Sequence, residues 1–181
     1  MQQMNRHTII SLMLTLLVAA YVSFLFHEFG HWLIGTLLGY EMAMSLNATW
    51  LKSGSFLKES HSLYFVMGGP AFTILQVMIA LLIVEKYKNL FAYPFVCFPF
   101  VLRMFSWTRG MKFGAEDEAV ISAMLGLRIN IGAIIVCSIL LASVWKGSRT
   151  LKLNFVVNSA FFLCSIAFIF VVIATHKMIF T

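Results

Sequence analysis

The sequence predicts an all-α polytopic membrane protein with about five transmembrane helices, and three observations lead there. Of the 181 residues, 61% are hydrophobic and only 11% are charged, against roughly 45–50% and about 25% in soluble domains. Mean hydropathy is +0.91. The apolar residues fall into five runs close to the roughly 20 residues that a helix needs to cross a bilayer core about 30 Å thick. The same composition excludes a disordered chain, which would be poor in apolar residues. It also excludes a disulfide scaffold, because the three cysteines lie in apolar stretches without CxxC spacing and read as small buried hydrophobes.

Taken in order, the first run covers residues 8–39 and meets no charge before Glu28. At 1.5 Å per residue it would reach about 48 Å as one helix, so it must tilt, protrude or break. Arg6 followed by an apolar stretch and Val18-Ala19-Ala20 has the outline of a secretory signal. The apolar pattern continues well past Ala20, which predicts a retained helix. The second run, 62–84, carries Gly68-Gly69-Pro70 near its start. Pro is well tolerated in a first helical turn, so the triplet reads equally as a helix-start device or as a place where backbone approaches a site closely. The third run, 89–108, is interrupted by Pro94, Pro99 and Arg103. The fourth and fifth cover 129–145 and 153–175. Between the first two runs, residues 40–50 alternate in part, predicting a short strand or hairpin at the membrane edge or, equally, an irregular loop. No linker divides the chain, so residues 1–181 are expected to form one integral membrane domain.

The formal net charge is +6, from 13 Lys and Arg against 7 Asp and Glu. The basic residues are scattered through the short gaps between runs, where they read as membrane-flanking groups; no basic domain exists to hold nucleic acid. Arg103, Arg109 and Lys112 are expected chiefly as interfacial anchors, with contact to a substrate or a developing oxyanion as the alternative. Six basic residues fall on each side of the five-span topology, so the positive-inside rule does not orient the chain.

The chemistry concentrates in His27-Glu28-Phe29-Gly30-His31, an HExxH sequence inside an apolar run. Residues i and i+4 lie about 40° apart around a helix, so both imidazoles can face one metal ion while the Glu reaches a water there. Ionisable groups are costly at membrane depth and mark function. A catalytic zinc takes three protein ligands, so the two histidines need a partner. The candidates are His7, His61, His176 and the acidic run Glu116-Asp117-Glu118. If the first span ends on one side of the membrane, the second starts there and the third returns there. HExxH, Gly68-Gly69-Pro70, His61 and the acidic run then converge on that side, while His7 and His176 read as terminal surface residues.

HExxH followed by Leu38-Gly39-Tyr40, a strand-like stretch, Gly69-Pro70 opening a second apolar helix and a late Asp together resemble the site-2 protease family of intramembrane zinc metalloproteases. The resemblance covers roughly residues 18–127 and implies a three-helix catalytic core there. It implies His27, His31 and Asp117 as zinc ligands, Glu28 as general base, and an active site facing the cytoplasm. Three residues after Pro70, where the family commonly has Asn, this chain has Thr73, and Asp117 is followed by Glu118 where the family commonly has Gly. The expectation is therefore an intramembrane zinc endopeptidase in the plasma membrane of a bacterium or archaeon, acting on transmembrane proteins or peptides. A non-proteolytic binding or regulatory relative and a small metal-handling membrane protein are the alternatives. Residues 41–47, alternating Met42, Met44 and Leu46 with Ala43, Ser45 and Asn47, are expected to form a strand near the metal and to pair with an extended substrate.

Overall fold

A computed structural model describes residues 5–113 and 116–180. Its elements are α1 (Arg6–Leu37), β1 (Met42–Met44), β2 (Thr49–Leu51), α2 (Glu59–Tyr87), a 3₁₀ turn (Leu90–Ala92), α3 (Pro94–Phe113), α4 (Asp117–Met124), α5 (Ile131–Thr150) and α6 (Phe155–Phe180). Five of the helices, all but α4, are long and apolar enough to cross a membrane. They coincide with the five apolar runs, extended by a turn or so at most ends.

α1 is unbroken over 32 residues. Its N-terminus is capped by the Asn5 side chain, which accepts from His7 N–H. It ends at Gly39, whose φ of +88° turns the chain out of the helix; that left-handed conformation is open to Gly without steric cost. α2 contains Pro70 well inside the helix, eleven residues from its start. Gly68-Gly69-Pro70 is therefore not a helix-start device. Its glycines serve close approach, because a Cβ on Gly30 would run into Gly68 O and a Cβ on Gly68 into Gly30 O. α1 and α2 thus cross backbone to backbone at the HExxH sequence, the use that small residues have between apolar helices.

The apolar core joins Leu12, Leu16 and Ala19 of α1 to Val77 and Leu81 of α2, Val96 and Phe98 of α3, Leu140 of α5 and Phe161, Ile169 and Val172 of α6. α3 is the most enclosed of the long helices, which explains its two prolines and its arginine. Those residues face protein, where lost backbone bonds and charge can be compensated. Cys97 and Cys137 are buried and Cys164 half-buried, all as free thiols.

The stretch after α1 is a hairpin. β1 and β2 are antiparallel, with Met42 opposite Leu51 and Met44 opposite Thr49. One face carries Met42, packed against Gly35, and Thr49; the other carries Trp50, which is exposed. Ser45 N–H donates to Ala48 O at 2.8 Å and Lys52 N–H to Glu41 O at 2.9 Å. In that register the main-chain groups of Thr49 and Leu51 point away from β1.

Candidate metal centre

The HExxH sequence lies on the last turns of α1, with His27, Glu28 and His31 all buried. Asp117, the first residue of α4, meets it from the other side of the sequence. Asp117 Oδ2 is 2.8 Å from His27 Nε2 and 3.4 Å from His31 Nε2, and the two Nε2 atoms are 3.2 Å apart. Among the described residues, these three form the one group of His, Cys, Asp or Glu side chains close enough to hold a metal ion.

The outer ring atoms fix what the inner ones carry. His31 Nδ1 lies 2.8 Å from Phe65 O; a carbonyl only accepts, so Nδ1 bears the proton and Nε2 presents a lone pair. His27 Nδ1 lies 3.0 Å from Thr73 Oγ1. The Thr73 hydroxyl spends its proton on Gly69 O at 3.1 Å, so it accepts from His27, whose Nε2 is likewise a lone pair. Two imidazole lone pairs and a carboxylate oxygen therefore face one another, an arrangement that calls for a positive charge between them. Ligand atoms about 3.3 Å apart are what a tetrahedral ion with bonds of about 2.0–2.1 Å requires, and the three separations bracket that value. Gly69 completes the fit: a Cβ there would collide with His31 Nε2 and His27 Cε1. The donor set, its tautomers and this backbone cradle fit a divalent cation of the zinc class.

The acids neighbouring Asp117 are drawn elsewhere. Glu118 pairs with Arg103 at 3.3 Å and Glu116 with Arg109 at 3.3 Å. His61 is also committed: its Nδ1 lies in hydrogen-bond contact with Tyr40 OH at 2.8 Å, and the same hydroxyl accepts from Leu57 N–H. His61 fastens the loop after the hairpin to α2 and is not part of the cluster.

No protein-family profile, curated protein or solved structure matches this chain. The site must be read from its own geometry.

A cavity of about 300 Å³ opens onto the three residues and Glu28, at the small end of the range for ligand pockets. Phe24 and Leu102 line it from α1 and α3, and Ile169 and Ile173 from α6, so its wall extends beyond residues 18–127. The hairpin contributes Asn47, Ala48 and Thr49. The strand nearest the cavity is accordingly β2 and not the 41–47 stretch, which supplies the outer strand and, at Asn47, part of the turn. Thr49 Oγ1 lies 2.9 Å from Glu28 Oε2 and 3.0 Å from Glu28 O.

A further expectation changes. Arg103 is not an interfacial anchor: it is 5% exposed and touches both Asp117 and Glu118. Its position inside an apolar run, shortly before an acidic cluster, is the signal that marks it. Arg109 is exposed at the cavity rim and pairs with Glu116. Thr49 had no sequence signal, since one Thr in a short polar connection carries none.

Proposed function

We propose that this protein is an intramembrane zinc endopeptidase of the site-2 protease kind. The observation that carries the reading is the convergence of two imidazole lone pairs and the Asp117 carboxylate beside the buried Glu28, in a cavity walled by long apolar helices. His27, His31 and Asp117 would hold the metal. Zinc, when bound, supplies a Lewis acid that acidifies water and polarises the scissile carbonyl.

The remaining work falls to the chain. Glu28 takes the proton from the attacking water and returns it to the departing amine. Thr49 shares its one hydroxyl proton between Glu28 Oε2 and Glu28 O and steadies the carboxylate for both transfers. Phe24, Leu102 and Ile169 give the cavity an apolar wall beside the reacting groups. A membrane-embedded substrate must unwind locally to present a carbonyl, and its freed backbone groups need partners. The outward N–H and C=O groups of Thr49 and Leu51 offer them along an edge that starts beside Glu28.

The test is cleavage of a model transmembrane peptide by the purified protein, with zinc measured in the same samples. Wild type cleaves, and Glu28→Gln falls to background while retaining its zinc. Equal cleavage by both would overturn the mechanism. Zinc-loaded wild type that cleaves no peptide would return the protein to the binding or metal-handling alternatives.

A further inference from the structure

Three acids in succession, Glu116-Asp117-Glu118, enter the site region, and any of them has the chemistry of a third metal donor. α3 sorts them. Arg109, near its C-terminal end, takes Glu116. Arg103, nearly two turns earlier, directs one nitrogen at two carboxylates: its Nη1 is 3.3 Å from Glu118 Oε1 and 3.4 Å from Asp117 Oδ2. Its other terminal nitrogen donates to Ser106 Oγ at 3.2 Å, which fixes the plane of the guanidinium.

Glu118 is 2% exposed; among the described residues its Oε2 has no hydrogen-bond partner and Arg103 is the one cation paired with it. A buried carboxylate of this kind is stable only while its counter-ion is present. α4 is held firmly enough to make the sorting matter. Gly132 N–H donates to Ser122 Oγ, which donates to Glu118 O, and a Cβ on Gly132 would meet Glu118 O. Without Arg103, Glu118 would be left as a buried carboxylate without its counter-ion, one residue from Asp117, and a rival donor to it.

We propose that Arg103 is a positioning residue for the metal centre: by holding Glu118 in an ion pair and steadying the Asp117 oxygen that faces the imidazoles, it makes Asp117 the third donor. The inference rests on the metal reading above and assigns Arg103 no contact with substrate.

The experiment is a zinc-affinity cycle on the full chain in detergent, by competition with a chromophoric chelator, in Arg103→Gln, Glu118→Gln and the double variant. Arg103→Gln weakens zinc binding about 10- to 100-fold, the usual scale for losing a group that orients a ligand. Glu118→Gln has a smaller effect, and the double variant recovers most of the loss, because a neutral amide neither competes for the ion nor remains as an unpaired charge. In the Arg103→Gln background Asp117→Asn costs less affinity than in wild type, since Glu118 is then free to substitute; a merely structural arginine would not produce that exchange. If Arg103→Gln alone does not fold, the double variant decides: near-wild-type affinity supports the role and weak affinity overturns it. Wild-type affinity in Arg103→Gln also overturns it. Wild type that holds no zinc, or holds it equally well after His27→Ala, overturns the metal reading itself and this inference with it.

Discussion

The hydroxyl of Thr49, on the inner strand of the hairpin, lies 2.9 Å from Oε2 of Glu28, on the last turns of α1. The hairpin is thereby tied to the one carboxylate of the HExxH sequence, and in the proposed mechanism the tie sets which oxygen of Glu28 would receive the proton.

Thr49→Val is expected to lower kcat about 10- to 100-fold, the worth of a hydrogen bond to a charged group, without loss of zinc. Thr49→Ser keeps the donor and most of the rate. Steady-state cleavage with metal analysis on the same preparations checks this, and a normal kcat in Thr49→Val would remove the hydroxyl from the mechanism.

His27→Ala, His31→Ala and Asp117→Ala should each purify with little zinc, while His61→Ala, whose partner is Tyr40, should purify with a full complement. Elemental analysis decides. Full occupancy in Asp117→Ala would show that another group completes the site.

Gly69→Ala places a methyl group against both imidazoles. Overpacking of this sort costs about 1–3 kcal/mol, and here the strain falls on the donor atoms. Zinc affinity should drop more than the melting temperature does, which parallel chelator competition and thermal unfolding would reveal. A variant with normal affinity would mean that α2 can retreat from the histidines.

Leu51→Pro removes an outward N–H from the strand edge beside the cavity. Met44→Pro removes one from the far edge of the hairpin. Peptide cleavage should fall strongly in the first and much less in the second, with zinc retained in both. Equal rates would place substrate pairing elsewhere.

Much of this architecture was legible in the sequence because it follows from two periodicities. Apolar runs of helical length mark the five long helices, and the i, i+4 spacing of His27 and His31 sets both rings on one face. Alternating the direction of successive spans brings Asp117 toward them without any detail of packing. What was not legible depends on packing itself. The depth of Pro70 within α2 follows from where the helix begins, and Glu59-Ser60-His61 is polar enough to read as loop while extending the helix by a turn. α4 is only eight residues long and is held by packing against α2 and α5. Thr73 stands where the resemblance leads one to expect Asn. Only the path of its hydrogen bonds, from His27 Nδ1 through its own hydroxyl to Gly69 O, shows that it orients a histidine.

The length of α1 bears on how the proposed hydrolase would obtain its second reactant. From Arg6 to His27 the helix rises about 32 Å, close to the roughly 30 Å depth of a hydrocarbon core. With Arg6 at one headgroup layer, the histidines reach the opposite boundary, and the turns beyond them continue toward the aqueous phase. On the proposed function, water would then reach the reaction from the near interface with no need of a channel through the bilayer, and the unwound stretch of a substrate would be required only at that shallow level.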